Sequence, residues 1–394
     1  FESFLVFNGN KTPDIDLNFS SEYQSRAHQY VEELLGADNV FRAGTVSTIA
    51  DKTAYGFVKN YFKDREMDVK DSEVNRLVKG ISGVKRTTGQ HPGGLIVVPR
   101  GEDINRFTPL QHPAEKRDSG IITTHFEYHA LEEQLVKLDI LGHDDPTIIK
   151  ALEDMTGIQA SSISLSDEKT MQLFSSTDPL GVTPEQIGTS IGTYGIPEFG
   201  TKFVRQMLEV TRPSTFGELI RISGLSHGTD VWSHNAEVLI KNQVATLKEV
   251  ICTRDDIMTY LIRQGLEKLQ AFNIMEKVRK GKERLDEQEV ESMRASQVPA
   301  WYIESCDKIK YMFPKAHAVA YVTMAFRIAY FKVNYPREFY ASFFSVRAED
   351  FDMESALQGY DEVKAKIKAI EKLGFEATPK EKKLLPILEL ALEM

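Results

Sequence analysis

The sequence predicts an α+β chain in which strands are confined to residues 1–145 and the remainder, 146–394, is mostly helical. Three observations carry that division. Period-two alternation and short apolar runs, both strand signatures, recur before residue 145 and fade after it. Asp145-Pro146 then reads as a helix start, with aspartate at the N-cap and proline at the first helical position. From there helical segments follow one another to the last residue. A length of 394 residues suits two or three domains at about 150 residues each.

Pro13–Phe19 is the first predicted strand, because Asp14-Ile15-Asp16-Leu17 alternates polar and apolar. A helix from about Ser21 presents Tyr23, Ala27, Tyr30, Val31, Leu34 and Leu35 on one face and stops at Gly36. A second helix spans about 50–65. Leu95–Val98 reads as a buried strand ended by Pro99, Ile121–Phe126 as another and Leu135–Leu141 as a third, with Lys85–Gly94 as a loop before the strand at Leu95. Beyond residue 145 the helical segments fall near 145–156, 197–210, 214–222, 254–265, 267–281, 299–312, 315–333, 351–373 and 378–393. No internal repeat or low-complexity linker interrupts them.

At 41% hydrophobic and 27% charged, the composition is that of an ordinary folded protein. Two cysteines, Cys252 and Cys306, exclude a disulfide framework and a cysteine-rich zinc module, and fit a reducing, cytoplasmic setting. No run reaches the roughly 20 apolar residues of a bilayer span, so no membrane partner is expected. The start at Phe1 and the end inside the helix-like run LLPILELALEM read as a piece cut from a longer protein. The net charge of −10 argues mildly against a nucleic-acid binder, but it is unevenly spread. Residues 308–347 hold seven lysines and arginines against one acid, whereas 348–394 hold seven lysines against eleven acids. Such segregation suits either a polyanion-binding face or a solvated helix surface.

Three constellations could carry chemistry. Asp14 and Asp16 lie two apart on a predicted strand, so both carboxylates point to one face and repel unless a cation lies between them. Oxygen-only ligation of that kind suits Mg²⁺; the alternative is a solvent-facing pair on an edge strand. Asp139 sits inside an apolar strand with Leu138 and Ile140 on the opposite face. A charge there needs a metal, or a salt bridge such as one with Lys137. In the second, Lys85–Gly94, the cations Lys85 and Arg86 crowd with hydroxyls, His91 and glycines, either to meet phosphate or to make a turn. The third runs from Lys308 through Lys310 to Ala318. Phe313-Pro314 breaks one helix and Lys315 starts the next, placing Lys315 and His317 in a first turn that favours anions. Tyr311, Phe313 and Tyr321 could stack on a base, or the whole stretch could be a tightly packed helix with snorkelling lysines.

Gly224-Leu225-Ser226-His227-Gly228 fits the G-x-S-x-G pattern of serine hydrolases, but that motif needs a strand before it, and 214–222 reads as helix. The nine histidines are scattered; His125 and His129 are four apart, but they flank a predicted strand end and so do not share a helix face.

Taken together, Pro13–Ser20, Lys85–Gly94 and Lys137–His143 resemble the bacterial replicative DNA polymerases of the C family, most closely the PolC type. Ala50–Lys59, Ser223–Trp232 and Tyr311–Tyr321 are similar to the same family, in the same order, so that the resemblance covers nearly the whole chain. It implies part of a polymerase-β-like nucleotidyltransferase palm with a mixed sheet over 1–145 and helical fingers over 146–394. Asp14, Asp16 and Asp139 fall on the family's catalytic aspartates, which would hold two Mg²⁺ ions, replaceable by Mn²⁺. Lys85, Arg86 and His91 match a basic palm stretch near the substrates. Ser226, His227, Arg254, Lys315 and His317 lie in matching fingers motifs. The implied partners are primer–template DNA and dNTPs, with a sliding clamp and other replisome subunits for the full-length enzyme.

The family's Gly-Ser phosphate-gripping motif, thumb, exonuclease and zinc-binding cysteines belong to upstream segments, and its helix-hairpin-helix tail and clamp peptide to downstream ones. The expectation is therefore a polymerase whose excised piece does not polymerise alone. The other reading is a non-catalytic DNA-binding or replisome assembly module. The two part on whether Asp14, Asp16 and Asp139 converge to within about 10 Å, the reach of ligands sharing ions at Mg–O lengths of roughly 2 Å.

Overall fold

The computed structural model describes residues 15–115, 117–347 and 359–394, and the chain divides into two compact units between His143 and Asp144. Asp14, an expected ligand, lies outside the described residues, as does the 351–358 part of the helix expected over 351–373.

The first unit is built on a six-stranded mixed sheet. Its strands are β1 (Ile15–Phe19), β2 (Val40–Thr48), β3 (Lys85–Val97), β4 (Leu110–Gln111), β5 (Thr123–Glu127) and β6 (Val136–Gly142), in the order β1-β6-β3-β2-β5-β4. β1 pairs parallel with β6, and β3 runs antiparallel between β6 and β2. Helix α1 (Gln24–Leu35) lays Ala27, Val31 and Leu35 on Val40, Leu95, Leu138 and Ile140. The opposite face is filled further along by Ala43, Ile96, Val98, Ile104 and Leu135. Helices α2 (Asp51–Lys63) and α3 (Asp71–Ile81) form a hairpin over Val58, Phe62 and Val74.

Three features depart from the sequence-based expectation. Lys85–Gly94 is strand, not loop: it continues into Leu95–Val97 and pairs with β2 along most of its length. β2 itself was not foreseen, because Ala43-Gly44 interrupts its strand-favouring residues. The glycine is needed there, since a Cβ would stand 2.0 Å from the Thr124 carbonyl of β5. α3 was likewise missed.

In the second unit the principal helices are α4 (Asp144–Thr156), α5 (Lys202–Thr211), α6 (Phe216–His227), α7 (Arg254–Arg263), α8 (Lys268–Lys280), α9 (Glu287–Ala295), α10 (Ala300–Lys308), α11 (Lys315–Asn334), α12 (Pro336–Val346), α13 (Tyr360–Leu373) and α14 (Pro379–Glu393). α11 is the central one. From Val322 to Val333 it buries residues on every side, the signature of a helix with no solvent face. Phe326 stacks on Phe174 at 6.0 Å and meets Phe216 edge-on at 5.9 Å.

α10 ends at Lys308, four residues before the expected stop, because Ile309 turns extended and Tyr311 bridges to Thr229. Asp145 is not an N-cap: α4 starts one residue earlier, and the buried Asp145 carboxylate pairs with Arg347. α9 went unforeseen, although Asp286 and Glu289 form the capping box that could have announced it. Both cysteines are buried and free. Among the described residues no helix is long and apolar enough to cross a membrane.

Candidate active site

Asp16 and Asp139 are brought side by side by strand pairing. In the parallel β1–β6 ladder Asp16 is the registered partner of Asp139. In-register residues on neighbouring strands project to one face from backbones about 4.8 Å apart. Leu138 and Ile140 point the other way, into the contact with α1.

The Asp139 carboxylate is unevenly satisfied. Oδ2 pairs with Lys137 Nζ at 2.9 Å, both side chains 17% exposed. This is the salt bridge weighed above as the alternative to a metal, and it accounts for one oxygen only. Oδ1 is buried with no hydrogen-bond donor among the described residues. A buried carboxylate oxygen without a donor is costly unless a cation completes it. Lys137 also lies over the Tyr128 ring at 4.7 Å, which fixes where its ammonium points.

His91 is the third group at this place. Between Gln90 and Leu95 the β3 chain bulges, since five steps of β3 match two of β2. The bulge turns the His91 ring back so that Nδ1 accepts from the amides of Gly94 at 2.8 Å and Gly93 at 3.3 Å. Nδ1 also stands 3.5 Å from Asp139 Oδ1. That approach is no ion pair, because a nitrogen accepting two amide hydrogens carries no proton of its own. Burial pushes the His91 pKa below its ordinary value against the opposing pull of Asp139, which agrees with a neutral ring. Gly94 is required, as a Cβ there would lie 2.8 Å from Nδ1.

Lys85 and Arg86 are elsewhere. Lys85 pairs with Thr48 and Leu95 with Arg42, so six residues of β2 separate them, roughly 20 Å at 3.3 Å per residue. They line a separate cavity of about 780 Å³ with Thr88, His125 and Phe126.

The predicted residues of the helical unit form an aromatic ladder. The His227 ring meets Phe313 edge-on at 5.4 Å, Phe313 stacks on His317 at 4.9 Å, and His317 lies 4.4 Å from Tyr321. Tyr311 joins at the Phe313 edge, 5.4 Å away. His227 Nε2 bonds Glu198 Oε2 at 2.9 Å, and that carboxylate raises the imidazole pKa despite partial burial. Glu198, held at φ 68°, was not foreseen, and nothing local in the sequence marks it. Ser226 lies within α6 and its hydroxyl donates to the Ser223 carbonyl at 2.9 Å. No strand precedes it, so the hydrolase elbow is excluded.

The anion-favouring helix start at Lys315 is already engaged by the protein's own acids. The Lys315 amide donates to Asp255 Oδ2 at 2.7 Å, and Lys315 Nζ lies 3.5 Å from Asp256. Part of the basic stripe over 308–347 is similarly engaged on folding. Lys310 pairs with Asp230, Lys332 with Glu393 and Arg347 with Asp145. Arg254 is buried, with its amide on the Phe313 carbonyl at 3.2 Å. Lys308 stays exposed in the last turn of α10.

Comparison with known proteins bears on both units. Residues 145–298 match the family model of the bacterial DNA polymerase III alpha subunit finger domain, and residues 1–63 and 56–142 match that of the bacterial DNA polymerase III alpha NTPase domain. All 394 residues align with curated proteins named DNA polymerase III PolC-type: 62% identical in Caldanaerobacter subterraneus subsp. tengcongensis, 59% in Listeria monocytogenes and 58% in Bacillus subtilis. The chain spans 28%, 27% and 27% of the length of these relatives, respectively.

Proposed function

The chain belongs to the bacterial DNA polymerase III alpha-subunit family of the PolC type, and on that premise we propose that residues 1–145 are the catalytic part of a palm and 146–394 the fingers of a template-directed DNA polymerase acting in chromosomal replication. The reaction is transfer of a dNMP from a dNTP to a primer 3′-OH with release of pyrophosphate. The observation that carries this reading is the registered Asp16–Asp139 pair, with Asp139 Oδ1 buried and lacking a donor.

Asp14, Asp16 and Asp139 would hold two Mg²⁺ ions, replaceable by Mn²⁺, which supply activation of the 3′-OH and neutralise charge on the triphosphate. The chain's own groups prepare that place. Lys137 holds Oδ2 and turns Oδ1 toward the shared face. Neutral His91 keeps a second positive charge away from the carboxylates while its ring braces the bulge. A non-catalytic module would gain nothing from two acids held in register around an unsatisfied oxygen.

The ladder from His227 to Tyr321 gives flat faces for a base, with a His227 cation beside it. Lys85 and Arg86, roughly 20 Å along the sheet, lie on the order of six base-pair rises from the carboxylates. They suit a duplex backbone better than the reacting triphosphate. Lys308, Lys310, Lys315 and Arg254 are secondary contacts to nucleotide or DNA in this reading, since three of them are engaged within the protein. Polymerisation, and any sliding clamp or other replisome partner, is assigned to the full-length enzyme. Primer extension by the 394-residue chain alone, lost in Asp16→Ala, would show that the chain suffices.

The test is Mn²⁺ binding followed by electron paramagnetic resonance. Asp139→Asn should weaken it at least tenfold, as even residues supporting a ligand typically cost 10–100-fold. Equal affinity in the variant and the parent would remove the metal site and the reading with it.

A further inference from the structure

A cavity of about 440 Å³ in the helical unit is lined by Arg221, Lys248, Arg263, Tyr260, Trp301 and Tyr302, among others. That volume falls in the range of small-ligand sites and is enough for one nucleotide. Its acids are already engaged. Asp256 accepts from the Thr253 amide at 3.0 Å and faces both Arg221 and Lys315 at 3.5 Å. Glu249 accepts from the amide and hydroxyl of Thr246 at 2.8 and 2.7 Å. Arg221 is committed to the wall, donating to the Leu247 carbonyl at 2.7 Å and the Val250 carbonyl at 3.2 Å. The cations left to face a ligand are Arg263, which forms no ion pair among the described residues, and Lys248, 75% exposed with only Glu218 at 3.9 Å.

The aromatic wall supplies an independent sign of a ligand. Tyr302 is 1% exposed, and its hydroxyl is buried without a hydrogen-bond partner among the described residues. Its ring stacks on Tyr260 at 4.3 Å and 21°, and Trp301 stands 5.5 Å away. Flat, braced aromatic rings accept bases of any sequence. No glycine lines the cavity, so a backbone cradle for a polyphosphate is lacking, and two mobile cations suit a single phosphodiester.

We propose that this cavity binds one unpaired nucleotide of a single DNA strand, its base on Tyr260 and Trp301 and its phosphate between Arg263 and Lys248. The cavity shares none of the aromatic rings of the ladder at His227, although Lys315 lines it. It shares with the polymerase reading only the premise that a strand meets this unit, and binding there needs neither metal nor catalysis.

The test follows intrinsic fluorescence of the 394-residue chain on titration with a fifteen-residue oligothymidylate in EDTA, where a failure of the metal site has no effect. Trp232 is 5% exposed, so quenching by a stacked base should come from Trp301 and vanish in Trp301→Phe. Tyr260→Ala and Arg263→Ala should each weaken binding about tenfold, Arg263→Ala also lowering the log–log salt slope by about one. Tyr260→Phe keeps the stacking face and should bind within about twofold of the parent. Arg263 is exposed, so its variant reads binding without a packing loss. Unchanged affinity in both Arg263→Ala and Tyr260→Ala overturns the proposal. Equal quenching by thymidine 5′-monophosphate at the same nucleotide concentration overturns the assignment to a strand.

Discussion

Replacing Lys332 by Met should destabilise the helical unit by about 3–5 kcal/mol, the usual cost of removing one partner of a buried ion pair. Lys332 and Glu393 are both wholly buried, with Nζ and Oε1 2.6 Å apart. The ammonium also donates to the carbonyls of Gly192 and Tyr194, each at 2.7 Å, and Tyr340 donates its hydroxyl to Glu393 at 2.9 Å. Three acceptors around Nζ suit a charged lysine, although burial pulls its pKa down and that of Glu393 up. Without the ammonium, Glu393 must protonate. Doing so at pH 7 from an ordinary carboxyl value of about 4.3 costs about 3.7 kcal/mol, inside the range above. Two carbonyls losing their donor push toward its upper end. At 2–4 °C per kcal/mol for a unit of this size, the melting temperature should fall by roughly 10 °C.

The assay is urea unfolding of the parent, Lys332→Met and the double variant Lys332→Met/Glu393→Gln. The double variant should recover most of the loss, because no buried charge remains while Tyr340 keeps an acceptor. In Lys332→Met the folded pKa of Glu393 lies above its unfolded value, so the native state binds more protons and stability rises as pH falls through that folded value. A loss below about 1 kcal/mol, or no recovery in the double variant, would refute the reasoning. The network matters for function because Lys332 anchors the buried end of α11, whose other end carries Lys315, His317 and Tyr321.

Lys137→Met should lower metal-free stability by about 1–3 kcal/mol through loss of the Asp139 partner, and should weaken Mn²⁺ binding, since Oδ2 is no longer held in place; equal or tighter binding would show that Lys137 only competes with the metal. Gly94→Ala should cost about 1–3 kcal/mol in urea unfolding by forcing the His91 ring off the Gly93 and Gly94 amides, and an unperturbed His91 resonance would contradict this. His227 should titrate by NMR above its ordinary value of 6.5 and return toward it in Glu198→Gln. With the folded value raised, its stabilising contribution is full below the unfolded pKa and lost as pH rises through the folded one. An unshifted titration in the variant would assign the rise to another group.

Much of the local order was legible. Alternation around Asp16 showed the strand Ile15–Phe19, Gly36 ended α1, and Pro314 marked the start of α11, because each signal acts within one turn or one pleat. β2 escaped because a glycine demanded by a neighbouring strand looks, in isolation, like a breaker. Lys85–Gly94 resembled a loop for the same reason: its glycines serve the bulge at His91, which is defined only by the partner strands. The basic stripe over 308–347 suggested a polyanion surface, yet Lys310, Lys315, Lys332 and Arg347 meet acids 59 to 202 positions away.

What the sequence by itself determined was most of the helices, several strands and which family's motifs they carry, since periodicity, caps and motif spacing are properties of contiguous residues. Only the tertiary structure decided that Asp16 and Asp139 stand in register, that one Asp139 oxygen meets a lysine while the other is buried without a donor among the described residues, and that His91 is neutral. Strand register, ion pairing and desolvation are set by groups far apart along the chain, and they take values only once folding has brought those groups together.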